Sequence, residues 1–362
     1  MATSTIPVAL REPPPPRRAR RRTSPPTLPT GHRAGVWRVD GQLGRGGMAS
    51  VYAVTHAEFG KRAALKLAHA SILGPSFSRD TFLREARVVN RVDHPGVPDV
   101  FATGSLDGRP YLVMERLCGQ TLGARLDGLP GPMPRTEALE ILLELCDVLG
   151  AAHAAGVVHR DLKLDNVFLL DQPGVGGHRV KLVDWGIARI LDERDPMAGM
   201  LAGTLTYVAP EQIRGDDITA AADRYALAVL AYQMLCGQPP FASPLDLELI
   251  KKHVGETPPS PRSLRPDLPS DLDHLLLRML AKRPDDRPRL DEIAATLREA
   301  RDRARAQEAT RHRWRRAVSS APPIDVLGRA AVALPVPALL EHRLVRASLA
   351  IATALAALAL HA

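Results

Sequence analysis

Cysteine is scarce in this chain of 362 residues, which has only Cys118, Cys146 and Cys236. Their number is odd, they are far apart, and no two show metal-ligand spacing. That excludes a disulfide scaffold and a cysteine-built metal site, and fits reduced thiols in a cytosolic compartment. An apolar segment near the N-terminus is also missing. Pro13 to Pro16 leads straight into Arg17, Arg18, Arg20, Arg21 and Arg22, so no secretory signal is expected. No internal repeat is visible. The formal net charge is +8, yet the middle of the chain lacks the excess. It sits in that first arginine block and in a second one from Arg301 through Arg303, Arg305, Arg311, Arg313 and Arg315 to Arg316. A nucleic-acid groove is therefore not expected. The two arms read as solvated, or as drawn to an anionic membrane surface.

What is present suits one large domain of about 250–300 residues with tails. The apolar fraction of 45% can build a core. Residues 1–34, rich in proline and arginine, are expected to be a disordered tail. A domain is expected over 35–300. Val36, Val39 and Leu43, then Val51, Tyr52 and Val54, then Ala63, Ala64, Leu65 and Leu67 read as three short strands punctuated by glycines. Phe77 to Val92 reads as a helix, and Tyr111 to Met114 as a buried strand. After Gly119 helices dominate. Thr136 to Ala155 has helical apolar spacing and stops at Gly156. Ala220 to Leu235 is almost wholly apolar, which predicts a helix buried on most sides. Leu272 to Leu280 and Leu290 to Arg301 read as amphipathic helices. The expected fold class is α+β, with a small β-rich lobe before a larger helical one.

Residues 301–338 read as a basic segment and proline-rich linker, and 339–362 as an apolar C-terminal segment. Within it, Ala347 to Leu360 carries no charge. As a helix it reaches about 21 Å at 1.5 Å per residue, short of the roughly 30 Å hydrocarbon core. Two readings stand. In one, the run attaches the chain to the inner face of the membrane, with Arg343 and Arg346 at the interface. In the other, it is an interaction helix.

The chemistry concentrates in His159-Arg160-Asp161-Leu162-Lys163-Leu164-Asp165-Asn166. An aspartate can orient and deprotonate a hydroxyl, a lysine can neutralise a moving phosphoryl group, and an amide oxygen can hold a metal ion. Upstream, Leu43-Gly44-Arg45-Gly46-Gly47-Met48-Ala49-Ser50-Val51 joins two strands. Its glycines let backbone approach phosphates, although glycine turns between strands are common. Lys66 alternates on an apolar strand, so its ammonium needs a partner, and Glu85 is the candidate. Downstream, Asp184-Trp185-Gly186 follows the strand Val180 to Val183, where the aspartate suits a magnesium ligand. Asp223 lies in the apolar helix and Arg287 in a tight turn. Asp223 is expected to cap the backbone near Asp161, and Arg287 to bridge to Glu211 of Ala209-Pro210-Glu211.

Taken in order, these motifs resemble those of the eukaryotic-like Ser/Thr protein kinases of bacteria, across about residues 36–300. The resemblance implies a bilobal protein-kinase-like fold that uses ATP and Mg²⁺ to phosphorylate Ser/Thr hydroxyls of protein substrates. It implies that Gly44, Gly46 and Gly47 cover the phosphates, with Leu43, Val51 and Ala64 around the nucleotide. Lys66 would hold the α/β-phosphates, positioned by Glu85. Met114 would stand behind the adenine, and backbone groups of Glu115 and Leu117 would bond it. Asp161 would be the base, Lys163 would meet the γ-phosphoryl group, and Asn166 and Asp184 would bind the metal. Lys163 and Gly203-Thr204-Leu205-Thr206-Tyr207 look like the Ser/Thr class.

Three features depart from the pattern. Ala49 stands where a third glycine is usual, which predicts modestly altered nucleotide affinity. Trp185 replaces the usual phenylalanine and must pack beneath the helix bearing Glu85. No Ser, Thr or Tyr lies between Trp185 and Gly203. Asp192, Glu193 or Asp195 is then expected to pair with Arg160 or Arg189, ordering the segment without phosphorylation. Two other functions make different demands on the sequence. A catalytically silent scaffold predicts loss of Lys66, Asp161 or Asp184, and none is lost. A small-molecule phosphotransferase would not need Ala209-Pro210-Glu211 or the Thr204 segment. Nothing in the sequence sets an oligomeric state.

Overall fold

The computed structural model describes residues 27–74, 79–185, 188–190 and 205–319. Two compact units are present, 1–301 and 302–362. The first opens on a six-stranded antiparallel sheet of β1 (Arg33–Ala34), β2 (Trp37–Arg45), β3 (Ala49–His56), β4 (Arg62–Ala68), β5 (Val100–Leu106) and β6 (Arg109–Met114), in the order β1-β2-β3-β4-β6-β5. One helix, α1 (Arg79–Arg91), comes between β4 and β5. Side chains alternate across a strand, so β4 divides its residues between two faces. Ala63, Leu65 and Leu67 join a core with Val39, Tyr52, Val54 and Val113. Ala68, on the other face, packs with Ala49, Leu112 and the α1 residues Phe82 and Ala86. Lys66 shares that second face.

Residues 27–34, expected in the disordered tail, are packed. Leu28 and Ala34 belong to the first core, and the Leu28 N–H donates to the Tyr52 hydroxyl at 3.3 Å. The proline-rich composition hid the two apolar residues that anchor the segment. Residues 1–26, and Phe77 at the expected start of the first helix, lie outside the described residues.

The helical lobe comprises β7 (Gly119–Thr121), α2 (Leu122–Asp127), α3 (Arg135–Ala154), β8 (Val157–Val158), β9 (Val167–Leu170), β10 (Val180–Leu182), β11 (Arg189–Ile190), α4 (Pro210–Arg214), α5 (Ala221–Cys236), α6 (Asp246–Gly255), α7 (Pro261–Leu264), α8 (Ser270–Met279) and α9 (Leu290–Ser319). Two small sheets, β10-β9-β7 and β11-β8, lie among the helices. They flank the loops that carry Asp161 and Asp184. Gly156 just past α3 has φ of 72°, which reverses the chain into β8 as only a residue tolerant of the left-handed region can do cheaply. Helix α5 is buried over nearly its whole length, as its composition predicts.

α9 is longer than the amphipathic pattern indicates, continuing beyond Arg301 to Ser319. Its second half is rich in Arg and Ala, which are strong helix formers without an apolar stripe to announce them. Among the described residues no helix is long and apolar enough to cross a membrane. The run 347–360 lies outside them.

Candidate active site

The two faces of β4 decide where Lys66 points. Its strand is paired with β3 at Val51 and with β6 at Leu112, which puts its side chain on the α1 side. There Lys66 Nζ lies 2.6 Å from Glu85 Oε2 and 2.9 Å from Glu85 Oε1. The same nitrogen donates to Asp184 Oδ1 at 2.7 Å. Burial alone would depress the lysine, but the carboxylates of Glu85 and Asp184 outweigh it and hold Lys66 above its ordinary value. Lys66 in turn holds the Asp184 carboxyl below the usual range. Burial pushes the Glu85 carboxyl up against the pull of Lys66. Asp184 is the most open of the three, with 48% of its side chain exposed.

The second cluster lies between β8 and β9. Lys163 Nζ is 2.7 Å from Asp161 Oδ2. A single 3-10 turn, Leu164–Asn166, brings Asn166 back to Asp161, where its Nδ2 donates to the backbone carbonyl at 2.8 Å and to Oδ2 at 3.1 Å. With its N–H groups turned to Asp161, the amide offers oxygen for other work. The Asn166 carbonyl accepts from Val183 N at 2.8 Å, which joins this loop to the one carrying Asp184. Asp161 and Lys66 thus belong to one site built from both lobes.

The loop is held from below. Asp223 on α5 accepts the backbone N–H groups of His159 and Arg160 at 2.9 Å each, and lies 2.8 Å from His153 Nε2. Burial opposes its charge, yet His153 and these N–H groups keep its carboxyl below the ordinary value. Arg287 Nη1 and Nη2 meet the Glu211 carboxylate at 2.6 and 2.8 Å, with both side chains buried. Both structural pairings expected from sequence are therefore present. Trp185 is buried and stands edge-on to His159, ring centroids 4.6 Å apart, while its Nε1 donates to the Leu182 carbonyl at 2.8 Å. Burial lowers the His159 value, which keeps the ring neutral between Trp185 and the Val183 carbonyl.

In the glycine loop, Gly44 pairs with Val51, and Gly46 N–H closes the tip on the Ala49 carbonyl at 2.9 Å. A Cβ built at Gly44 or Gly47 would meet nothing within 4 Å. Internal packing does not demand glycine there, and the open space suits a ligand that needs close backbone approach. The methyl of Ala49 goes into the core under α1. Ala64 pairs with Met114, and Glu115 N–H is already used by the Asp99 carbonyl at 2.8 Å. Leu43 is half exposed on β2.

Two site neighbours escaped the sequence analysis. His69, one residue past β4, places Nε2 2.9 Å from Ser50 Oγ and Nδ1 3.3 Å from the Gly47 carbonyl. Lys181, buried on β10, donates to Glu115 Oε2 at 2.6 Å and to the Val97 carbonyl at 3.2 Å. A lysine between Val180 and Leu182 was the available signal for the second. The first carried none. Asp192, Glu193, Asp195, Gly203 and Thr204 lie outside the described residues.

The protein kinase domain family matches residues 37–314. The chain belongs to the protein kinase family. It is 40% identical over 259 residues to the serine/threonine-protein kinase Pkn1 of Myxococcus xanthus, covering 71% of this chain and 37% of that one. It is 36% identical over 278 residues to the DNA damage-responsive serine/threonine-protein kinase RqkA of Deinococcus radiodurans, covering 75% and 40%. The chain thus spans about two fifths of the length of these curated relatives. The crystal structure of the Mycobacterium tuberculosis PknI kinase domain is 31% identical, with a TM-score of 0.59, covering 76% of this chain and all of that one. Use of ATP and a divalent metal, and action on proteins, are general to this kinase family.

Proposed function

We propose that this chain is an active protein Ser/Thr kinase that transfers the γ-phosphoryl group of ATP to Ser/Thr hydroxyls of protein substrates. The observation carrying this reading is the contact of Lys66 with both Glu85 and Asp184, beside the cluster of Asp161, Lys163 and Asn166. In this reading Asp161 accepts the hydroxyl proton and aims the nucleophile. Lys163 stabilises the charge on the transferring group, and Lys66 steadies the α/β-phosphates. Gly44, Gly46 and Gly47 cover the phosphates; Leu43, Val51, Ala64 and Met114 enclose the base. With the Glu115 N–H committed to Asp99, adenine meets the Glu115 carbonyl and the Leu117 backbone. The donor set of Asn166 and Asp184 is oxygen, which fits Mg²⁺. When bound, Mg²⁺ would neutralise phosphate charge.

The test is incubation of the purified chain with labelled ATP, Mg²⁺ and a generic basic protein, beside Asp161→Asn. Transfer to protein is expected, with a loss of about 10²–10⁴-fold in the variant and unchanged ATP binding. Wild-type turnover in the variant sinks the assignment of the base. ATP binding without transfer in the parent chain would favour a scaffold.

The apolar C-terminal segment expected over 339–362 belongs to the same proposal, attaching the kinase to the inner membrane face. The full chain should resist alkaline extraction, and a chain ending near Pro323 should not. Extraction of both makes residues 347–360 an interaction helix.

A further inference from the structure

Away from the active site, three side chains from distant parts of the sequence converge. His94 lies in the turn after α1, Asp147 on α3, and His178 at the head of the β9–β10 hairpin. His94 Nε2 is 3.2 Å from Asp147 Oδ2, and His178 Nε2 is 3.5 Å from the same oxygen. The two imidazoles stand edge to face, with centroids 5.0 Å apart. Among the described residues this is the one group of three His, Cys, Asp or Glu side chains close enough to share an ion. We infer that His94, Asp147 and His178 form a zinc site, with two imidazole nitrogens and one carboxylate oxygen as ligands.

The spacing supports this directly. Ligands about 2.0 Å from a tetrahedral zinc stand about 3.3 Å from one another. The two separations from Asp147 Oδ2 fall on either side of that edge length, and all three ligand atoms lie within 4.8 Å of one another. The donor types suit zinc better than calcium or magnesium, which favour sites of oxygen alone. Asp147 is 63% exposed, so the fourth position faces water. The histidines are far less open, at 11% and 18% of their side chains. His178 Nδ1 is a buried atom 3.7 Å from Glu144 Oε2. That oxygen is itself held by the backbone N–H groups of Arg179 and Val180 at 2.8 Å. At 3.7 Å no hydrogen bond forms, so Glu144 stands behind the second ring nitrogen without fixing its tautomer.

His94 is held differently, and the difference has a consequence. Gly96 N–H donates to His94 Nδ1 at 2.9 Å, so the proton of the neutral ring sits on Nε2. For Nε2 to ligate as a neutral imidazole, that proton must move to Nδ1, and the Gly96 N–H must then turn away. Gly96 is pressed against α3, where a Cβ would run into Val148. Its carbonyl accepts from Leu182 N–H at 2.7 Å, two residues before Asp184. The ion would therefore tie the turn after α1 to α3 and to the hairpin, and its arrival would be felt in the strand leading to Asp184.

The experiment uses the full chain, stripped with a chelator and titrated with Co²⁺ and then with Zn²⁺ against a chromophoric chelator. We expect one ion per chain, the intense visible bands of tetrahedral Co²⁺, and a higher melting temperature with Zn²⁺. His178→Gln and Asp147→Asn should each weaken binding at least about tenfold. His274→Gln, an exposed histidine on α8, should leave it unchanged. Should His178→Gln fail to fold, Asp147→Asn on the open face of α3 carries the comparison. Absence of saturable binding in the parent chain, an octahedral Co²⁺ spectrum, or equal affinity in the variants overturns the site. None of these readouts depends on phosphoryl transfer, so they stand apart from the kinase assay.

Discussion

Asp223 holds the backbone N–H of Arg160 at 2.9 Å, and Arg160 sits at φ of 69°. A side chain larger than glycine in that region costs about 1–3 kcal/mol. The conformation turns the chain so that the next residue, Asp161, faces Lys163 and Asn166. A buried carboxylate accepting two N–H groups offsets the strain, each such bond contributing about 1.5–3 kcal/mol. Asp223→Ala should leave both N–H groups unpaired, lower the melting temperature and reduce kcat more than it raises the KM for ATP. A variant that loses stability but keeps kcat would make Asp223 structural only.

Lys66→Met should lower turnover by about 10²–10³-fold, the range for removing one preorganised hydrogen-bond donor aimed at developing charge. The fold should survive, because Glu85, already pushed up by burial, can take a proton once its cation is gone. Steady-state kinetics and circular dichroism check both halves. Full activity in this variant would mean that the site is not of the proposed kind.

His69 braces the glycine loop through Ser50 and the Gly47 carbonyl, and its own N–H reaches the Met48 carbonyl at 2.8 Å. His69→Leu removes the two side-chain bonds and keeps the backbone one. At about 1 kcal/mol for a bond of this kind, the KM for ATP should rise about fivefold or more. The KM for the protein substrate should not move. Equal changes in both constants would place the effect outside the loop.

Acid should destabilise the helical lobe through His253. Burial, with Lys282 nearby, lowers its pKa from 6.5 to about 4. Its Nδ1 is 2.9 Å from the Tyr225 hydroxyl. Below pH 6.5 the unfolded chain takes up a proton that the folded chain refuses, so stability falls as pH falls, down to about pH 4. The loss between pH 7 and 5 should be about 2 kcal/mol from this group. Urea unfolding at the two pH values measures it, and His253→Gln should flatten the dependence. An unchanged slope in that variant would assign the acid sensitivity elsewhere.

The sequence alone determined what local periodicity can carry. Alternation on β4 and helical spacing on α1 put Lys66 and Glu85 on facing surfaces, and the run 159–166 keeps its acid, lysine and amide within reach of one another. Composition also marked Asp223 and Arg287 as charges needing partners, because an apolar helix and a tight turn leave few alternatives. Tertiary structure decided the rest. Nothing local ties His69 to Ser50, Lys181 to Glu115, Trp185 to His159, or His94 to Asp147 and His178. Leu28 likewise anchors an N-terminal segment that its prolines made look unstructured. A period of 2.0 or 3.6 residues fixes which face a side chain takes within its own element. The residue it meets across the gap depends on how the elements pack against one another, and that is set by the whole core.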